Sequence, residues 1–174
     1  DKVLEVEGLR WGKKVNGVSF NLRKGEILGM FGIVGAGRTE TARLIFGLEE
    51  KDAGVIKVNG KEVAIKHPKD AVALKLGFLT EDRRGEGLAV VLNVTENTTM
   101  PSLKRFIKNG IIRIKKEESF AQEMANMLNT KTPSMRTKVA TLSGGNQQKI
   151  AIAKWLGAKS DILIFDEPTR GIDV

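Results

Sequence analysis

The sequence predicts an α/β fold, and three observations carry that expectation. Two apolar runs, Ile27-Leu28-Gly29-Met30-Phe31 and Ile162-Leu163-Ile164-Phe165, lack polar alternation. Such runs suit central parallel strands covered on both faces. Each leads into a cluster of glycines or acids, and helix-period segments lie between them. Finally, 174 residues with 41% apolar content are enough to bury a sizeable core.

Along the chain, residues 3–10 and 15–22 read as strands, the second with Val18, Phe20 and Leu22 on one face. Lys24-Gly25-Glu26 makes a turn before the first apolar run. A glycine-rich turn follows, then a helix over residues 39–46 with Leu44, Ile45 and Leu48 on its apolar side. Residues 55–63 read as a hairpin, because Asn59-Gly60 favours the positive φ angles of a two-residue turn. Pro68 opens a helix expected to reach Leu76, and residues 77–80 form a short strand that runs into a polar loop, 81–87. Over residues 93–138 helical patterns dominate and strands are expected to disappear, with Phe120, Met124, Met127 and Leu128 on one helical face. A further helix after Ser143 runs to Leu156, and the second apolar run ends in Asp166-Glu167-Pro168.

Composition removes several function classes. The absence of cysteine excludes disulfides and thiolate metal sites, and a single histidine, His67, excludes multi-histidine zinc sites. No apolar run approaches the ~20 residues of a membrane span. No signal-peptide pattern opens the chain, which starts at Asp1, so it reads as a piece of a longer cytoplasmic protein. The net charge of +8 fits a phosphate, nucleic-acid or anionic-surface binder, but also an ordinary solvated face. The basic residues are scattered and not interleaved with aromatics, which disfavours base stacking on single strands.

Gly32-Ile33-Val34-Gly35-Ala36-Gly37-Arg38-Thr39 fits the phosphate-binding pattern G-x-x-x-x-G-K-[ST] at every fixed position but one. Glycines let backbone N–H groups converge on a phosphate, and the following helix adds its positive end. Thr39 offers a hydroxyl to Mg2+, and Arg38 keeps the charge of the lysine while replacing a compact ammonium with a planar fork. Asp166 and Glu167, at the end of an apolar strand, suit a metal carboxylate and a group that polarises attacking water. In an open α/β sheet the glycine loop and these acids are expected to meet beyond the strand ends. Leu142-Ser143-Gly144-Gly145-Asn146-Gln147-Gln148-Lys149 supplies a second anion-type helix start. Its bland reading is a serine N-cap with a flexible entry.

Together these motifs resemble an ABC-type ATPase domain over almost the whole chain. In detail they resemble the second, C-terminal ATPase domain of tandem monosaccharide-importer ATPases of the ribose, galactose and xylose type. The residues that carry it are Gly35-Ala36-Gly37-Arg38-Thr39-Glu40, Thr80-Glu81-Asp82-Arg83-Arg84, Leu142 to Lys149, and Asp166-Glu167-Pro168-Thr169-Arg170-Gly171-Ile172-Asp173-Val174. The resemblance implies a P-loop NTPase of ABC type: a mixed sheet core, an antiparallel β subdomain, a helical subdomain, and a missing C-terminal part of the fold. One incomplete domain is expected, with core and β subdomain in residues 1–92 and 140–174 and the helical subdomain in residues 93–139.

The same resemblance implies that Gly32, Ile33, Val34, Gly35, Ala36, Gly37, Arg38, Thr39 and Glu40 hold ATP and that Trp11 stacks on adenine. Ser143, Gly144, Gly145 and Asn146 would contact ATP held by a partner domain, Gln147 closing that signature. Thr39, Asp166 and Glu81 would serve Mg2+, Glu167 would be the catalytic base, and Gly171 to Val174 would begin a D-loop. The implied partners are a second ABC ATPase domain and transmembrane permease subunits, with no nucleic acid, at the cytoplasmic face of the membrane. Three positions depart from the family pattern: Arg38 for lysine, Glu81 for the Q-loop glutamine and Asn146 for the signature glutamine. A switch histidine is absent, and His67 is misplaced for that role. The altered phosphate loop beside a nearly intact signature suggests slow turnover of the domain's own ATP, with its signature completing the partner's site. The alternative is a soluble ABC ATPase acting on nucleic acid or ribosomes.

Overall fold

The structure, a computed structural model, describes residues 1–168, so the expected D-loop residues Gly171 to Val174 lie outside them. The chain divides into two compact units, residues 1–78 and residue 79 onward.

The first unit is built on a four-stranded antiparallel sheet in the order β2-β1-β3-β4. β1 (Lys2–Trp11) and β2 (Val15–Arg23) are joined by a turn in which the Lys14 N–H donates to the Trp11 carbonyl. β3 (Ala53–Val58) takes the other edge of β1, and β4 (Lys61–Glu62) follows it. Alternation places Leu4 and Val6 of β1 and Ile56 and Val58 of β3 in the core, and the register shift between Val6 and Leu9 turns Leu9 inward as well. The hairpin turn is as expected, with φ of 50° at Asn59 and 75° at Gly60. Helix α1 (Arg38–Phe46) buries Ala42, Leu44, Ile45 and Phe46, and Phe46 meets Phe78 with ring centroids 5.5 Å apart. Leu48, expected on the same stripe, is exposed because the chain has left the helix at Gly47.

α2 (Pro68–Ala73) starts from a capping box in which the Lys66 and His67 N–H groups donate to the Asp70 carboxylate. Those two bonds hold the Asp70 carboxyl below the usual carboxylate range. This helix ends before the expected Leu76, because Lys75 turns into the left-handed region (φ 61°) and Leu76 already opens strand β5 (Leu76–Leu79).

A larger expectation also fails in this unit. Residues 27–31 form no regular element, and they are not doubly buried: Ile27 is 98% and Phe31 100% exposed. An apolar run becomes a central strand only when neighbouring strands take up its backbone groups. No described residue of the unit forms a ladder with it.

The second unit is mainly helical. A single wide turn, Arg83–Gly87, carries hydrogen bonds from Gly87 N–H to Asp82 O and from Leu88 N–H to Arg83 O. α3 (Val94–Thr99) is capped by a box between Asn93 and Glu96. The 3-10 segment Met100–Phe106 then leads into two short strands, β6 (Ile107–Lys108) and β7 (Ile111–Ile112). Strands therefore do not vanish from this region. The hairpin turn Asn109-Gly110 takes φ of 52° and 78°, so its residues carry the same signal as Asn59-Gly60. α4 (Ile114–Met127) buries Glu117, Ala121, Met124 and Ala125. Met127, expected inside, is exposed, because the buried stripe follows the i, i+4, i+7, i+8 line through the alanines. α5 (Gly144–Gly157) and β8 (Ile162–Phe165) complete the unit. β8 is not covered on both faces as expected: Phe165 is 48% exposed.

These burial differences set opposite expectations for two apolar side chains. Leu9→Ala, in the core, should cost about 2–5 kcal/mol in urea denaturation. Phe31→Ser, at a fully exposed position, should stay within ~0.5 kcal/mol of wild type.

Candidate functional site

The first unit holds the glycine loop, residues 32–37, immediately before α1. Gly37 is the N-cap of α1 in the left-handed region (φ 82°) and has no side-chain cap. A Cβ at this position would overlap the carbonyl oxygen of Lys14, in the turn that follows Trp11. The loop and the Trp11 turn are therefore packed backbone to backbone. Gly35 is also left-handed (φ 82°), with open space where its side chain would be. The first intrahelical bond is Thr41 N–H to Gly37 O at 2.9 Å, and the Thr41 hydroxyl donates to the same oxygen at 2.7 Å. The N–H groups of the first turn have no intrahelical acceptor, as at any helix start. Arg38 and Thr39 are half-buried, while Ile33, Val34, Gly35 and Ala36 are exposed. Glu40 pairs with Lys14 at 2.7 Å, and that bond holds its carboxyl below the usual range. Trp11 is half-buried at the end of β1. An open depression of about 300 Å³, lined by Leu28, Met30, Phe31, Gly37, Arg38 and Thr41 among others, adjoins the loop.

The second unit holds the other expected residues. Ser143 is the exposed N-cap of α5, and its Oγ accepts from the Asn146 side-chain amide at 2.9 Å. The Asn146 Oδ1 accepts from Lys131 N–H at 2.8 Å. Ser143 keeps its O–H as a donor. Gly144 and Gly145 are half-buried, and a Cβ at Gly145 would meet no atom within 4 Å. Gln147 turns inward: its amide donates to the carbonyls of Val139 and Leu142 at 3.0 and 3.1 Å, which holds the approach to Ser143. Asp166 is buried, and its N–H donates to Leu79 O at 2.9 Å. Glu167 is exposed and left-handed (φ 47°), an uncommon backbone for a residue other than glycine, asparagine or aspartate. Glu81 is half-buried just after β5.

Sequence reasoning missed a clamp in this unit. Arg83 donates to the Gln148 Oε1 at 3.2 Å, and Arg84 to the Gln147 Oε1 at 3.3 Å. The Lys154 ammonium donates to Gly87 O. The wide turn after Glu81 is thereby tied to α5 at three points. Lys154 lies seven residues after Gln147, two helical turns along the same face, and that spacing was the available signal.

The donor chemistry fits phosphate and Mg2+. An uncapped helix start with two left-handed glycines presents amide donors, and the Thr39 hydroxyl in its first turn is a hard oxygen donor. In the second unit the Asp166 carboxylate is another hard oxygen donor. Among the described residues no group of three or more His, Cys, Asp or Glu could hold a metal.

The fold and the two loops define a class: an α/β ATP-binding cassette. At 19% identity and a TM-score of 0.76, the fold is that of MJ1267, an ATP-binding cassette of an ABC transporter solved in its ADP conformation; the match covers 99% of this chain and 71% of that one. The ATP-binding cassette MJ0796, a dimer bound to ADP and Pi, matches with a TM-score of 0.78 at 21% identity, over 98% and 76% of the two chains. The ABC transporter family matches residues 15–170, and the chain belongs to it. A Burkholderia ambifaria protein named for ribose/galactose/methyl galactoside import ATP binding is 51% identical over 100% of this chain and 34% of its own length. The ribose import ATP-binding protein RbsA 3 of Rubrobacter xylanophilus is 48% identical over 99% of this chain and 34% of its own. The chain thus spans about a third of the curated relatives it matches.

Two outcomes are expected from this geometry. Gly37→Ala should lower stability by at least ~1–3 kcal/mol, since both the left-handed φ and the Lys14 carbonyl oppose it; thermal denaturation reads this. Burial brings the Lys154 ammonium down from 10.5 to about 8. Between those values the unfolded chain binds more protons, so Lys154 gives a rising stability contribution as pH increases from about 8 to 10.5. The unfolding free energy of wild type minus that of Lys154→Met, read from urea titrations, should climb across that window by up to ~1.4 kcal/mol per pH unit and be flat below it.

Proposed function

We propose that the chain is the ATP-binding and hydrolysing cassette of a sugar importer. The observation that carries this is the phosphate loop: Gly37 caps α1 with no side chain and is fixed against the Lys14 carbonyl, leaving first-turn amides as donors. In this reading residues 32–40 hold the ATP phosphates, and Trp11, on the adjoining turn, stacks on adenine. Thr39, Asp166 and Glu81 serve Mg2+, which neutralises phosphate charge when bound. Glu167 accepts the proton of the attacking water. Residues 93–139 act as the helical subdomain of the cassette, with residues 1–92 and 140–174 as its core and β subdomain.

Ser143, Gly144, Gly145 and Asn146 reach the ATP of a second cassette in a head-to-tail pair. The exposed Ser143 hydroxyl and the open space over Gly145 support this reading. Arg38 binds phosphate but positions it less well than an ammonium, so the domain's own ATP turns over slowly while its signature serves the partner. The names of the relatives, which print ribose and galactose import, support ribose- or galactose-type sugars. In this reading the cassette works with permease subunits at the cytoplasmic face of the membrane. Nothing in the fold favours a nucleic-acid-directed ATPase.

Fluorescent ATP with Mg2+ should bind saturably, and Arg38→Ala should weaken it about tenfold or more. In the full-length transporter Ser143→Arg should abolish hydrolysis while leaving that binding intact, and Arg38→Ala should reduce hydrolysis less. If Arg38→Ala is the more damaging change, the roles are reversed. Gly145→Ala should raise helix stability by up to ~1 kcal/mol and still lower transporter hydrolysis.

A further inference from the structure

We propose that the hairpin of residues 107–112, with its flanking lysines, is a docking finger for an anionic lipid surface. β6 and β7 pair Ile107 with Ile112 and Lys108 with Ile111. Each pair shares one face of the ribbon. A half-buried strand pair normally shows apolar groups on one face only. Here both faces show them: Ile107 and Ile112 are 40% and 39% exposed, Ile111 72%, and Ile114 just beyond 61%.

The base of the finger is fixed. Phe106 is buried with its ring centroid 5.3 Å from that of Phe120. Arg105 stacks over Phe120 at 4.8 Å and donates to Gly157 O at 2.7 Å. Arg113 N–H donates to Phe106 O at 2.8 Å. The tip therefore projects from a rigid mount.

Charge selects the partner. Residues 101–116 contain Lys104, Arg105, Lys108, Arg113, Lys115 and Lys116 and no acid. The two arginines serve the mount, while all four lysines are exposed. The neighbouring acids are occupied: Glu117 accepts from the Thr99 hydroxyl at 2.6 Å and Glu118 pairs with Arg136 at 3.1 Å. Protein interface cores are depleted in lysine, single-strand nucleic-acid surfaces use stacking aromatics, which the tip lacks, and a duplex surface has no use for four exposed aliphatic side chains. Lysines around exposed aliphatic side chains suit acidic headgroups over acyl chains. This inference does not depend on the nucleotide reading.

The test is co-sedimentation of the full-length polypeptide with phosphatidylcholine vesicles, with and without about one-third phosphatidylglycerol. Binding is expected only to the phosphatidylglycerol vesicles. It should fall at least about tenfold in Lys108→Glu/Lys115→Glu and again in Ile111→Ser/Ile114→Ser, with ATP binding unchanged. If charge reversal disturbs folding, Lys108→Gln/Lys115→Gln provides the same comparison. Equal binding to both vesicle types, no binding, undiminished binding by both variants, or retention only when a membrane protein is present would overturn the proposal.

Discussion

The Lys14 carbonyl lies where a side chain at position 37 would begin, and the first unit is arranged around that fact. A backbone can approach another so closely only where one partner lacks Cβ. Position 37 must also be left-handed, which most residues resist. Both demands are met by glycine, and α1 then begins with no side chain over its first turn. The Trp11 turn, the β1–β2 hairpin and the start of α1 become one rigid corner. The Lys14–Glu40 pair bridges the same corner, but it is mostly exposed and secondary to the backbone contact.

The second unit solves the same problem differently. Its helix α5 starts from Ser143, whose oxygen accepts from Asn146, so this start is capped by the chain itself. Order comes from behind. Gln147 ties the helix to the Val139 and Leu142 carbonyls, while Arg84 reaches the same amide from the wide turn. Lys154 adds a buried ammonium on Gly87 O. Burying that charge costs stability, as its lowered pKa records, and in return it makes the turn after Glu81 and the helix behind Ser143 move together.

Much of this was legible in the residues. The glycine loop, the Ser-Gly-Gly helix start and the Asn59-Gly60 hairpin depend on local backbone demands, which sequence expresses directly. The misreadings share a cause: they depend on what lies beside a segment. Residues 27–31 have the composition of a central strand, but a strand is a relation to neighbours, and composition does not supply the neighbour. Met127 carries the right residue type on the wrong angular position. Asn109-Gly110 was hidden because its strands are two residues long and merge with the helical pattern around them. The clamp through Lys154 was hidden because a lysine on a helix reads as solvated unless something polar waits beneath it.

The two glycines that matter most separate structure from function. At Gly37 the chain's own packing forbids a side chain, so glycine there is required whether or not a ligand binds. At Gly145 nothing in the chain occupies the space a Cβ would take, and alanine would suit the helix better. A residue that costs helix stability and serves no internal packing points outward, to something that approaches the backbone at the start of α5. A smooth helix start with an exposed serine hydroxyl is what a phosphate held on another surface would require. Under the proposed function, the stability lost at Gly145 is what a signature facing a second cassette would cost the chain.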